Sequence, residues 1–238
     1  MNSAEKPLVI AVIPCLDEEN FIADIVSRAL VHVDRVLVID DGSSDATASV
    51  AQKAGAEVIS HATRKGAGAA TRSGFEAALK LGADIVVTLD GDGQHNPDEI
   101  PSVIRPVLEG KADITIGSRF LREAKVNRYR KFGIDLITWL YNIGNKVKIS
   151  DAQSCFRAYS RKALTHITIT FPGFGFSIET LVQARKHGLI MIEVPVSCIY
   201  HDSGSTEHPV VHGWSVASSV LKIRVKEEIF KRVNERGT

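Results

Sequence analysis

The stretch Val86–His95, VVTLDGDGQH, decides how the chain reads. Four apolar or β-branched residues lead through Leu89 into Asp90, and Gly91, Asp92, Gly93 and Gln94 follow. A buried strand that ends in two carboxylates and an amide needs a partner for them, because unpaired charge is costly to bury. The segment is not a calcium loop. Its sixth position is His95 rather than Gly, and its twelfth is Pro101 rather than Glu. Carboxylate and amide oxygens suit a hard divalent cation, Mg2+ or Mn2+, better than zinc or copper. Such an ion usually keeps part of its shell for phosphate oxygens, so the stretch predicts metal–diphosphate binding at a strand end.

Working outward, short apolar strands alternate with helical segments. LVIAVIP is a strand, and Asp17–Leu30 carries apolar residues at helical spacing. RVLVID is the second strand, followed by a helix from Ala46 to Ala54 with Asp45 as its cap and Gly55 as its stop. AEVIS, a helix over 67–81, DIVVTLD, a helix over 97–109 and ADITIG continue the pattern. Apolar strands alternating with helices predict a three-layer α/β/α fold on a mostly parallel central sheet. Right-handed crossovers then bring every strand's C-terminal end to one edge. The second half is less regular. Helices are expected over 129–147 and 178–187, a short helix follows SCFRAYSRKAL, and LIMIEVPVSCIY is one strand broken at Pro195 or a strand pair. A last amphipathic helix is expected over 214–233. One domain over 1–238 is expected, with no repeat or linker.

Composition narrows the function. Lys+Arg 29 against Asp+Glu 28 leaves a net charge of +1, which gives no electrostatic reason to expect nucleic acid. Cys15, Cys155 and Cys198 are scattered and form no CxxC pair, which favours a reducing cytoplasm. No apolar run is long enough to span a bilayer. There is no GxxxxGK[ST] loop. The GAGAAT run follows the third strand, not the first where a dinucleotide fingerprint belongs.

Ligands of open α/β sheets sit outside the carboxyl ends of the strands. Polar residues collect at all five of these ends. They are Asp17, Glu18 and Glu19; Asp40, Asp41 and Asp45; Arg64, Lys65, Gly66 and Gly68; Asp90, Asp92 and Gln94; and Ser118 and Arg119. Asp45 is expected to serve mainly as a helix cap. Together these residues describe a polar cleft.

The segments IPCLDEEN, VIDDGSSDAT, RKGAGAATRSGFEAA, DIVVTLDGDGQHNPDEIP, IGSRF, DAQSCFRAYSRKAL and FSIE, in this order, resemble the family 2 glycosyltransferases of the GT-A fold. They look closest to the dolichyl-phosphate sugar synthases, and VPVSCIYHDSGSTEHPVVHG looks most like archaeal members. The resemblance implies that residues 1–119 bind the nucleotide sugar and residues 120–238 bind the acceptor. It implies that Pro14, Leu16, Glu18, Asp40, Asp41, Lys65, Gly66 and Asp90 line the nucleotide site. Asp90, Asp92 and Gln94 would meet the metal as the family's DxD and third polar position. Asp92, Arg119 and Arg130 would be catalytic, with the two arginines on the acceptor phosphate and Asp151 and Ser154 beside them. Cys155 stands where relatives carry Gly. HDSGSTE lacks the basic residues of the usual RxxGxSK, with His201 or His208 as substitutes. Ile134 replaces a serine four residues after Arg130.

The implied reaction passes a sugar from a UDP- or GDP-linked donor to a polyprenyl (dolichyl) phosphate, with inversion. A phosphate acceptor is already anionic and needs no general base, whereas arginines that hold it in line match its oxygens bidentately. Transfer to a saccharide hydroxyl would need a base, and Asp151 or Glu179 could serve. A nucleotide-sugar-binding protein without activity is the remaining reading. YRKFGIDLITWLYNIGNKVK and WSVASSVLKIRVKEEIFKRV combine apolar faces with cations. Those faces would contact a membrane peripherally, at its cytoplasmic side, or pack on the core or on a second copy of the chain.

Overall fold

The computed structural model describes the backbone of residues 6–122, 128–145 and 147–199, and the side chains among them other than those of 128–132. A seven-stranded sheet runs through them. Its strands are β1 (Val9–Cys15), β2 (Arg35–Asp40), β3 (Glu57–Ser60), β4 (Ile85–Thr88), β5 (Ile114–Ser118), β6 (Arg157–Ser160) and β7 (Met191–Pro195). The spatial order is β3-β2-β1-β4-β6-β5-β7. Only β6 runs against the rest.

Side chains alternate between the two faces of the sheet, as the strand period requires. Ile10, Val12, Leu37, Ile39, Val86, Ile114 and Ile116 pack under α3 (Ala67–Lys80), α5 (Arg128–Asn142), α6 (Arg161–His166) and α7 (Phe176–Lys186). Val9, Ala11, Ile13, Val36, Val38, Ile85 and Val87 pack under α1 (Ile22–Ala29), α2 (Thr47–Lys53) and α4 (Ile100–Leu108). This is the expected three-layer arrangement. Each fully buried Ile or Val adds about 1.5–3 kcal/mol of transfer free energy.

The departures from the sequence reading have local causes. The segment expected to lead into a short helix, RAYS, is strand β6. Four residues carry no periodic signal, and the strand exists because Tyr159 and Ala158 pair with Val86 and Val87 across a long sequence gap. Its reversed direction corrects the expectation that every strand points its C-terminal end to the same edge. Here the N-terminal end, with Arg157 and the turn before it, arrives at the cleft. The apolar run after Gly188 forms one strand that ends at Pro195. The helix expected from Asp17 starts at Ile22, because Asp17 takes a left-handed φ of 57° and is committed to a loop. Residues 97–99 form a 3-10 turn before α4 begins. α5 stops at Asn142, short of Val147, and Gly144 follows with a φ of 74°. The expected C-terminal helix over 214–233 lies outside the described residues.

β1 connects onward to β2 on one side, while β4 lies on its other side. The crevice of an open α/β sheet forms at such a reversal. The two strand ends that meet there carry LDEEN and DGDGQH.

Candidate active site

Two loops at the ends of β1 and β2 are stitched together. Asp17 Oδ1 accepts from the Ser44 amide at 2.7 Å, and the Asp17 amide donates to Ser43 Oγ at 3.0 Å. Glu19 accepts from the Ala46 amide at 2.9 Å. Asp45 accepts from the Thr47 and Glu19 amides, at 2.9 and 3.1 Å. Asp45, the expected cap of α2, lies one residue before the N-cap Ala46 and holds the helix start through the Thr47 amide, and Glu19 is tied to the same start. Asp40 is buried and accepts from the Ser43 amide at 3.0 Å. Pro14, the last residue but one of β1, is in register with Ile39, and Leu16 follows the strand's end at Cys15.

Asp41 is a clamp. Its carboxylate accepts from the amides of Lys65, at 2.9 Å, and Gly66, at 2.6 Å. His61 Nδ1 lies 2.7 Å from the same carboxylate, and His61 Nε2 lies 3.0 Å from Ser73 Oγ on α3. Asp41 thus shapes the loop that carries Lys65 and Gly66. Gly66 has a φ of 98°, and a side chain there would meet the Pro172 carbonyl oxygen at 2.5 Å. Only glycine fits, because both the conformation and the space forbid a Cβ.

The DGDGQH turn closes the crevice. A side chain at Gly91 would sit 2.4 Å from Cys15 Sγ, so the turn rests directly on the end of β1. Asp92 accepts from the Gln94 amide at 3.0 Å and from its side-chain Nε2 at 2.6 Å. His95 is buried. Its Nδ1 lies 3.1 Å from the Asp90 amide as acceptor, and its ring stacks on Phe156 with centroids 5.2 Å apart. Burial drives its pKa down to about 4, so the ring is neutral and can accept that bond.

The electrostatics mark this as a place short of cations. Burial pushes Asp90 up to about 6, against the pull of Arg119 and Arg157. Burial and then Asp90 raise Asp92. Burial, with Asp92 and Asp90 next, lifts Glu18 to about 7. Perturbed groups clustered in a cleft are a functional signature.

On the other side of the cleft, Arg119 meets Asp151 in a bidentate pair, with Nε and a terminal nitrogen at 2.7 and 2.8 Å. Asp151 is fully buried. Ser154, three residues on, is buried, and among the described residues neither its Oγ nor the buried Nε2 of Gln153 has a hydrogen-bond partner. Arg157 is buried and donates to the carbonyls of Ser177, at 2.8 Å, and Ala152, at 2.9 Å. Arg130 falls in the first turn of α5, and its side chain is not among those described. His201, His208 and the HDSGSTE segment also lie outside the described residues. Glu179 is engaged by three hydrogen bonds, accepting from the Thr170 and Phe171 amides and from the Thr170 hydroxyl.

The structure brings Glu18, Asp40, Asp41, Asp90, Asp92, Gln94, Arg119 and Asp151 to one edge of the sheet. Sequence reasoning missed His61, His95 and Arg157. His95 stands inside the quoted motif, where its position next to Gln94 was the available signal. Arg157 lay in a strand that was not recognised.

The comparisons agree with this geometry. The family model described as glycosyl transferase family 2 matches residues 10–168, more than half of the chain. The UDP-N-acetylglucosamine–dolichyl-phosphate N-acetylglucosaminyltransferase of Methanococcus voltae is 32% identical over 235 residues, covering 88% of this chain and 90% of that one. The undecaprenyl-phosphate mannosyltransferase of Micrococcus luteus is 28% identical, covering 79% and 80%. The glucosyl-3-phosphoglycerate synthase of Mycobacterium tuberculosis, solved with Mn2+, UDP-glucose and phosphoglyceric acid, superimposes with a TM-score of 0.72 at 22% identity, covering 91% of this chain and 79% of that one. That last likeness is one of fold. A mostly parallel sheet with a carboxylate cleft at its switch point, and a family match across the strands that build it, make this chain a glycosyltransferase of family 2.

Proposed function

We propose that the protein transfers a sugar from a nucleotide diphosphate sugar to a polyprenyl phosphate with inversion at the anomeric carbon. The observation that carries this reading is the pairing of an under-neutralised carboxylate cluster at the end of β4 with an arginine at the end of β5 held by a buried carboxylate. The Methanococcus voltae and Micrococcus luteus relatives support the acceptor class by their names.

A divalent cation, Mg2+ or Mn2+, fits the donor set. Asp90, Asp92 and Gln94 offer hard oxygen ligands; burial raises both carboxylates and Asp90 raises Asp92 further, a cost to the anions that a bound cation would relieve. Among the described residues no group of three or more His, Cys, Asp or Glu side chains forms a cage. An ion held by these residues would complete its shell from water and substrate phosphates. When bound, it would neutralise the diphosphate leaving group as a Lewis acid.

The chain's own residues supply the rest. The loop held by Asp41 carries Lys65 and Gly66 to the donor's nucleotide, with Pro14, Leu16, Glu18 and Asp40 around the base and ribose. Arg119 holds the acceptor phosphate for in-line attack, with Arg130, Asp151 and Ser154 on the same side. In-line alignment is the main contribution required, because an anionic phosphate oxygen needs no deprotonation. The side chains suited to activate a saccharide hydroxyl are otherwise engaged. Asp151 is locked by Arg119, and Glu179 accepts three hydrogen bonds. This favours the phosphate acceptor.

The acceptor lipid would be met at a bilayer surface. Along α5, and at Ile143 just past its end, Leu136, Trp139 and Ile143 are 44%, 60% and 44% exposed, while Ile134, Ile137 and Tyr141 are buried. An exposed apolar stripe with this spacing suits peripheral contact with lipid. Among the described residues no helix is long and apolar enough to cross a membrane.

The test is a product assay. The purified protein with Mn2+ and a short polyprenyl phosphate is given UDP-N-acetylglucosamine, UDP-glucose or GDP-mannose in turn. An acid-labile glycolipid from one donor, with the opposite anomeric configuration and lost in Asp92→Ala, is expected. Transfer only to saccharide hydroxyls, or a retained configuration, would overturn the reading.

A further inference from the structure

Two hydrogen-bond chains that flank Arg119 end on one side chain, Glu193 of β7. Glu193 lies opposite Ile116 in the β5–β7 register, two residues before Ser118. Its Oε2 accepts from the Ser150 amide at 2.8 Å. Its Oε1 accepts from the Ser150 hydroxyl at 2.9 Å and the Asp151 amide at 3.0 Å. All three partners donate to it, so the turn at 150–151 hangs on the two oxygens of this side chain.

From this turn the first chain runs through hydroxyls. Ser150 donates its proton to Glu193, so the Ser118–Ser150 bond of 2.7 Å has Ser118 as donor. Ser118 Oγ in turn accepts from the Phe120 amide at 3.2 Å. The residues on both sides of Arg119 are thereby fixed. The second chain runs through Asp151. Its amide is held by Glu193, and its carboxylate takes the Arg119 guanidinium at 2.7 and 2.8 Å and the Arg119 amide at 3.2 Å. Charge-assisted bidentate bonds fix direction as well as distance. A network of this kind is worth more than its separate bonds, and a half-satisfied one loses its geometry.

We infer that Glu193 is a positioning residue for Arg119, acting through the Ser150–Asp151 turn, so that the last strand of the sheet sets how the arginine meets an acceptor. The effect on the acceptor rests on the polyprenyl-phosphate reading, whereas the effect on Arg119 itself does not. Glu193→Gln keeps the shape of the side chain but turns an NH2 group toward the Ser150 amide, so two donors oppose each other.

Two measurements test this. The first is the Arg119 side-chain Nε–H resonance in 15N-labelled protein, assigned by its loss in Arg119→Lys. It is expected to be protected from solvent exchange in the wild type and to lose that protection in Glu193→Gln. The milder Ser150→Ala, which removes only the hydroxyl link, should shift it in the same direction. The second is transfer to farnesyl phosphate. Glu193→Gln should raise the acceptor KM between about 10- and 100-fold, the scale of a catalytic group displaced by about 1 Å, and leave the Kd for UDP with Mn2+ unchanged. Added to Arg119→Ala, it should produce no further loss, since residues acting as one unit are non-additive. An unchanged Nε–H signal in both variants, or losses from Glu193→Gln and Arg119→Ala that simply add, would overturn the inference. If the Nε–H signal responds while the wild type transfers nothing to farnesyl phosphate, the polyprenyl-phosphate reading fails and the positioning of Arg119 by Glu193 stands.

Discussion

At the scale of single residues, the site is a set of carboxylates held in a cleft whose charge is not balanced. Glu18 is the most readable case. In the folded chain it titrates near 7, against an ordinary value of 4.5, because burial and then Asp92 and Asp90 disfavour its anion. Between those values the folded state binds more protons than the unfolded state, so the penalty is absent at low pH and complete above about 7. Glu18→Gln removes it. In metal-free buffer the variant should gain more thermal stability over the wild type at pH 8 than at pH 4.5. A gain that is equal at both pH values would mean that Glu18 ionises normally. Asp92→Asn takes a charge from the proposed cation ligands while keeping the side chain's size. The expected loss of turnover is at least about a hundredfold, with little change in melting temperature. Asp90, Asp92 and Gln94 were legible in the sequence because they alternate with glycines in one short motif. His61 and His95 were not, because their roles depend on atoms 20 and 5 residues away, the carboxylate of Asp41 and the amide of Asp90.

At the scale of elements, strand and helix ends carry the proposed site, and close approach fixes them. A Cβ on Gly91 would meet Cys15 just past the stretch where β1 and β4 pair. Gly91→Ala should destabilise the protein by about 1–3 kcal/mol, the cost of overpacking. Cys15→Ala should restore much of the loss by vacating the space of Sγ, and denaturant midpoints of both single variants and the pair would show it. On α5, Trp139→Ser should leave stability nearly unchanged, since the ring is 60% exposed, and weaken co-sedimentation with anionic vesicles. Equal co-sedimentation of variant and wild type would remove α5 from the lipid contact. Helices with a clear apolar period, such as α1 and α4, were legible from spacing alone. β6 was not. A four-residue strand has too little length to show a period, and its pairing with β4 and β5 is entirely non-local.

At the scale of the whole molecule, the amino-acid sequence by itself determined the layered α/β architecture and the edge of the sheet at which the polar residues of the proposed site collect. The reason is that period-2 and period-3.6 apolar patterns are local, and right-handed crossovers leave few ways to assemble them. It also determined the carboxylate motif and, through the order of its motifs, the family. Only the tertiary structure decided what each polar group is bonded to. It spent Asp41 on the Lys65–Gly66 loop, Asp45 and Glu19 on the start of α2, and Glu179 on the Thr170–Phe171 backbone. It reversed β6, so that the segment carrying Asp151 and Ser154 reaches the cleft, and it laid β7 beside β5, so that Glu193 reaches Ser150 and Asp151. These assignments depend on which non-local strands pair and on which donors meet which acceptors within about 3 Å. Pattern and spacing along a chain do not encode distances of that kind.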